Sequence, residues 1–89
     1  MSKMFYKKDS DVLVEILKAE GRDESINMSE INQRAGITYD YVRQIVEDLV
    51  EGGFVEKGSY KHSGYELELT DKGREMAEII KEGKEILGD

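Results

Sequence analysis

Apolar residues recur at helical spacing in four stretches of the chain and at strand spacing in two. Val12, Leu13, Ile16 and Leu17 line one side of a helix expected over residues 10–20. Ser10 is its expected N-cap, Asp11 suits its first turn, and Gly21 stands where a C′ glycine belongs. Residues 22–27 are polar and read as a loop, next to which Ile26 and Met28 suggest a very short strand. Ser29 is expected to cap a compact helix over 29–35 that buries Ile31 and Ala35, with Gly36 ending it and Ile37 anchoring the turn. Thr38 is expected to cap a longer helix over 38–52. Its apolar positions Val42, Ile45, Val46, Leu49 and Val50 follow i, i+3, i+4, i+7 and i+8, and Gly52 with Gly53 terminates it. Two helices joined by a tight turn containing glycine make a helix-turn-helix.

The period then changes from 3.6 to 2. Phe54-Val55-Glu56-Lys57 reads as a strand, and Tyr65-Glu66-Leu67-Glu68-Leu69 alternates apolar and charged residues. Between them, residues 58–64 form a turn-rich tip bounded by glycines, so 54–69 is a β-hairpin with one face on the core. Thr70 caps a last helix over about 71–87, where Met76, Ala77, Ile79, Ile80, Ile86 and Leu87 are apolar. The predicted fold class is α+β and mainly helical. It is a winged helix-turn-helix, a three-helix core with a β-hairpin wing, plus a C-terminal helix. The expected organisation is a basic N-terminal arm (1–8), the winged helix-turn-helix domain (9–70) and a C-terminal helix (71–89) serving as a dimerisation element.

The run from Ile37 to Val55, with Leu49, Gly53 and Phe54-Val55 closing it, resembles the recognition-helix block of small archaeal winged-helix regulators. The run Tyr65-Glu66-Leu67-Glu68-Leu69-Thr70-Asp71-Lys72-Gly73 is similar to the "strand, Leu-Thr-x-x-Gly, helix" ending of the same group, which MarR-type and PadR-type regulators share more loosely. The resemblance covers about residues 10–87. It implies binding of double-stranded DNA, with dimerisation through the terminal helix common in the group. The chain departs from its relatives at 40, 43 and 44, where they often carry lysine and it has Asp40, Arg43 and Gln44.

Charge sharpens and complicates this picture. In 89 residues, 20 acids face 13 bases, a net −7, so polyanion binding must come from a local patch. Two stretches that carry several lysines are free of acid. Residues 1–8 carry Lys3, Lys7 and Lys8 with Phe5 and Tyr6, and residues 57–65 carry Lys57, Lys61 and His62 between Tyr60 and Tyr65. From Thr38 to Glu51 one base, Arg43, meets four acids, Asp40, Glu47, Asp48 and Glu51, a net −3.

The face of this helix opposite its apolar stripe carries Tyr39, Asp40, Arg43, Gln44 and Glu47. The N-terminal part of such a helix enters the major groove. There Arg43 can bind guanine bidentately, Gln44 can read adenine, and Asp40 can accept from a cytosine amino group. Thr38 and Tyr39 can reach phosphates from the helix start, and Lys57, Tyr60, Lys61 and His62 can meet the flanking backbone. The bland reading of the same residues is a solvated helix face and a hairpin with gatekeeping lysines. The last helix offers Met76, Ile79, Ile80, Gly83, Ile86 and Leu87 as a dimer face, against the plain alternative of intramolecular core.

Zero cysteines exclude disulfides and thiolate metal sites, and a single histidine excludes a histidine-pair site within one chain. No phosphate loop or nucleophile elbow is present, so neither enzymatic activity nor a cofactor is expected. No apolar run reaches bilayer length and no signal-peptide core is seen, so a cytoplasmic protein without a membrane partner is expected. The expected function is a homodimeric DNA-binding transcriptional regulator with helix 38–52 in the major groove and hairpin 54–69 on the backbone. The alternative is an interaction module whose acidic helix face binds a protein partner.

Overall fold

The computed structural model describes residues 7–61 and 64–87. Its elements run α1 (Lys7–Gly21), α2 (Met28–Ala35), α3 (Tyr39–Glu51), β1 (Val55–Lys61), β2 (Gly64–Leu69) and α4 (Asp71–Leu87). This is the expected winged helix-turn-helix with an added helix. Among the described residues, no helix is long and apolar enough to cross a membrane.

One core serves every element. Val12, Leu13, Ile16 and Ala19 of α1 pack with Ile31, with Val42, Ile45, Val46 and Leu49 of α3, and with Phe54, Val55, Leu67 and Leu69 at the base of the hairpin. Among the described residues, Ala77 is the one from α4 in this buried cluster, and Met76 and Ile80 pack half-buried against it.

Several helix boundaries differ from expectation, each for a local reason. α1 starts at Lys7, so Ser10 lies inside the helix and is buried rather than capping it. Lys7 and Lys8 of the expected arm are therefore helical, while Lys3, Phe5 and Tyr6 lie outside the described residues. The left-handed residue after α1 is Asp23 (φ 57°) and not Gly21. α2 is capped by Asn27 rather than Ser29. The Asn27 side chain accepts from the Glu30 backbone N–H (3.0 Å), and the Asn27 N–H donates to the Glu30 carboxylate (3.2 Å), a reciprocal capping box. Met28 then opens the helix instead of extending a strand. Gly36 ends α2 in the left-handed region (φ 68°), as its position suggests. Thr38 occupies the N-cap of α3 but makes no side-chain capping bond.

The hairpin strands run further than the glycines imply, β1 reaching Lys61 and β2 starting at Gly64. Val55 pairs with Leu69, Glu56 with Glu68, Lys57 with Leu67, Tyr60 with Tyr65 and Lys61 with Gly64, with an irregularity between Lys57 and Tyr60. Gly58 and Ser59 occupy that irregularity, where an extra residue bends and twists a strand. Ile26 forms an isolated bridge to Leu67, whose N–H donates to the Ile26 carbonyl (2.8 Å). The short strand suggested at Ile26 is thus a single bridge that ties the first loop to the wing.

α4 is joined to the rest by a dense junction at its start. Thr70 caps it, accepting from the Gly73 N–H (3.0 Å), while its own hydroxyl donates to the Gly53 carbonyl (2.6 Å). The Thr70 N–H donates to the Phe54 carbonyl (3.1 Å). Lys72 donates to the Gly52 carbonyl (3.0 Å) and lies 4.4 Å over the Phe54 ring. Further along, Glu20 of α1 accepts from the Leu69 N–H (3.0 Å) and from Arg74 (3.0 Å). The hydrogen bond to Glu20, and then that carboxylate's charge, push the Arg74 guanidinium pKa up from its ordinary value.

Gly73 is where the junction tolerates no side chain. A Cβ there would overlap the Phe54 carbonyl oxygen and sit 2.8 Å from the carbonyl carbon, and a backbone neighbour cannot swing aside. Gly73→Ala is therefore expected to destabilise the fold by about 3 kcal/mol, the upper range for overpacking. Asn27→Ala, which removes the capping box, should cost about 1 kcal/mol. Urea denaturation followed by circular dichroism measures both, and a Gly73→Ala loss no larger than that of Asn27→Ala would contradict the packing account.

Candidate nucleic-acid interface

α3 supplies the first wall of the site. Val42, Ile45, Val46 and Leu49 are buried, which fixes the rotation of the helix about its axis. At 100° per residue, the positions pointing most directly away from the core are then Asp40, Gln44, Glu47 and Glu51. Tyr39 and Arg43 lie on the shoulder turned toward the wing, and Tyr41 and Asp48 on the opposite shoulder. The outermost ridge is thus three acids and one glutamine. Asp40 has a structural reason to be there, since a carboxylate in the first turn of a helix complements its dipole.

The wing supplies the second wall. Its strand pairing sets Tyr60 beside Tyr65, ring centroids 5.1 Å apart and planes at 80°. Lys57 Nζ stands 5.7 Å over the Tyr65 ring, in cation–π range.

Between these walls lies a cavity of about 210 Å3. Tyr39 and Arg43 line it from α3, and Lys57, Tyr60 and Tyr65 from the wing. Glu47, Gly64 and the start of α2, Met28 and Ser29, complete the lining. Four of the sequence-derived candidates, Tyr39, Arg43, Lys57 and Tyr60, are therefore brought to one cleft. The others are not in its lining. Gln44 sits on the outer ridge, and Thr38 is exposed at the helix start with its hydroxyl unspent on capping. Lys61 ends β1, its side chain outside what the structure describes, and His62 lies outside the described residues. The side chains of Arg43 and Glu47 enter no hydrogen bond or ion pair among the described residues, so both are uncommitted toward the cleft.

Tyr65 and Glu47 gain their importance from contacts that cross the fold. A tip of only two residues would have paired position 60 with 65, but the glycines at 58 and 64 imply a longer loop. On the far side of α3, Lys8 of α1 stands 5.0 Å over the Tyr41 ring, bringing one cation of the basic N-terminal stretch to that helix.

The expected dimer residues divide into two sets. Met76 and Ile80 are half-buried against the core, whereas Ile79 and Ile86 are 58% and 77% exposed, with Gly83 between them. The side chain of Leu87 is outside what the structure describes.

A family model described as winged helix-turn-helix matches residues 7–88. Among solved structures, the chain is similar to AF1382 from Archaeoglobus fulgidus, with 23% identity and a TM-score of 0.84 over 98% of this chain and 96% of that one. It is also similar to NMB1585, a MarR family regulator from Neisseria meningitidis (19% identity, TM-score 0.69, 88% of this chain and 56% of that one). A further similar structure is the transcriptional regulator BldR from Sulfolobus solfataricus (25% identity, TM-score 0.63, 88% and 60%). No curated protein matches the chain by sequence.

Proposed function

The chain belongs to the winged helix-turn-helix family, and from that premise we propose that it is a cytoplasmic, homodimeric DNA-binding transcription regulator. Helix α3 enters the major groove by its N-terminal half, and the wing lies on the adjacent backbone. The observation that carries this reading is the convergence of Arg43 from α3 and Lys57 from the wing on one cleft, with Tyr39 and Tyr60 beside them. The two similar structures described as regulators favour the same class. Arg43 reads guanine from the shoulder of the helix, Gln44 reads adenine from the ridge, and Asp40 accepts from a cytosine amino group. Thr38, Lys57, Lys61, His62 and Tyr60 meet phosphates and set the register.

The outward acids of α3 limit affinity, because each faces the phosphate field uncompensated. Binding then rests on few cations and is sensitive to salt. With about four phosphates neutralised per subunit, log K should fall with log salt at a slope of about −3 to −4 per subunit.

The dimer is assigned to α4. Ile79 and Ile86 are exposed one heptad apart, with Gly83 between them permitting close approach of a second helix. A second copy of the chain is the occupant that lets one patch cover itself.

In a duplex half-site library titrated across salt, Lys57→Ala should weaken all sequences about equally and reduce the slope by about 1. Arg43→Ala should instead relax preference at one base pair, at a cost of about 1–3 kcal/mol. Equal loss from both variants would refute the assigned roles, and no retention on random duplex at about 50 mM salt would favour a protein partner. For the dimer, Ile79→Asp should give the mass of one chain in light scattering with an unchanged helical spectrum, and an unchanged mass would remove α4 from the interface.

A further inference from the structure

All four described tyrosines, Tyr39, Tyr41, Tyr60 and Tyr65, are exposed. Three of them line the cleft between α3 and the wing. In duplex DNA the faces of the bases are stacked on one another, so a tyrosine can offer it only a hydroxyl or a ring edge. Yet the wing presents rings that are only partly covered, Tyr65 by Lys57 on one face. Tyr60 is 63% exposed and Tyr65 45%, and their planes meet at 80° to form two walls of a corner. Apolar surface held open in this way, beside cations, suits a flat partner with π faces.

The rest of the lining narrows the partner. Arg43 and Lys57 supply positive charge for a phosphate, but Glu47 on the same cleft would repel a bare phosphate seated deep within it. A carboxylate suits an exocyclic amino group, such as that of cytosine. A nucleotide with its base inside and its phosphate at the rim satisfies both. The cavity, at about 210 Å3, has room for one base and none for a duplex. A single strand crossing the cleft also avoids Asp40 and Glu51 on the outermost ridge, which a duplex seated on α3 must meet.

We propose that the α3–wing cleft binds single-stranded DNA, stacking an unpaired base against Tyr60 and Tyr65 with Arg43 and Lys57 on its backbone. This activity goes beyond the duplex reading and does not depend on it, although both use the same cleft.

The test titrates the full-length protein with a fluorescein-labelled mixed-sequence single strand of about 15 nucleotides, and separately with the duplex of that sequence at the same salt. Because the chain has no tryptophan, its intrinsic fluorescence is that of tyrosine, and stacking on the bases should quench it. The single strand is expected to bind at least as tightly as this random duplex and to quench the protein. Tyr60→Ala should weaken single-strand binding about 5- to 150-fold, the loss expected for one stacked base. Tyr60→Phe should stay within about twofold of the parent, because the ring is retained.

Equal losses from Tyr60→Phe and Tyr60→Ala would overturn the proposal, since the hydroxyl and not the ring would then carry the contact. Single-strand binding weaker than duplex binding, without quenching, would overturn it as well. Duplex binding alone leaves the regulator reading and removes this one, whereas single-strand binding alone does the reverse.

Discussion

The orientation of the wing against α3 depends on one junction, where the start of α4 is fastened to the corner between α3 and β1. Thr70 bonds Gly53 and Phe54, Lys72 bonds Gly52 and covers the Phe54 ring, and Gly73 lets the two backbones approach with no side chain between them. Gly53 takes a left-handed conformation (φ 82°) that reverses the chain at the corner, so carbonyls at the end of α3 turn toward α4 and find donors there. A two-stranded hairpin is marginal in isolation. Here its root is held on three sides, by this junction, by the Ile26 bridge and by Glu20 accepting from Leu69. Lys57, Tyr60 and Tyr65 therefore keep a fixed relation to Arg43 and Tyr39, and the cleft exists as a preformed feature.

Net charge tells less about this chain than the position of each charge. The −7 total comes with two lysine-bearing stretches free of acid, and the structure brings part of each to α3: Lys57 to one shoulder, Lys8 to the other. Between the shoulders the ridge is acidic. Those acids are unlike charges buried for stability, because they are solvated and uncompensated, so they act on whatever approaches rather than on the fold. A polyanion is accepted at the shoulders and resisted at the crest, which favours contact through the cleft.

The fold was legible because the pattern changes period at clear punctuation. Gly36 at the α2–α3 turn, Gly52-Gly53 after α3 and Thr70 before α4 all act in the structure as their types suggest. The helix starts were less legible where several capping residues competed. Asn27 prevails over Ser29 because Glu30 stands three residues after it and completes the reciprocal bonds, a spacing that Ser29 lacks. Ser10 loses its capping role because the helix continues upstream through Lys7 and carries it into the interior. For the site, the sequence named Tyr39, Arg43, Lys57 and Tyr60, which the structure brings to one cleft, but not their grouping. Helical spacing alone gives Tyr39, Arg43 and Gln44 one shared face. Only the buried set, which fixes the helix rotation, separates Arg43 on the wing side from Gln44 on the crest. The pairing of Tyr60 with Tyr65 likewise needed the observed register, because a hairpin's bulge cannot be counted from residue types.

α4 connects the two ends of this molecule mechanically. Its first turn holds the α3–β1 corner, and its later turns present Ile79 and Ile86, all within one uninterrupted helix of 17 residues, roughly 25 Å long. A helix of that length moves as a rod. In the proposed dimer, the crossing of the two α4 helices would set the distance and angle between the two clefts, with no other connection required. The same rod would carry the effect in reverse, because a ligand that strains the corner at Phe54 tilts α4. The tight approach at Gly73 leaves little slack to absorb that tilt, so in the proposed dimer cleft geometry and dimer geometry would be mechanically joined.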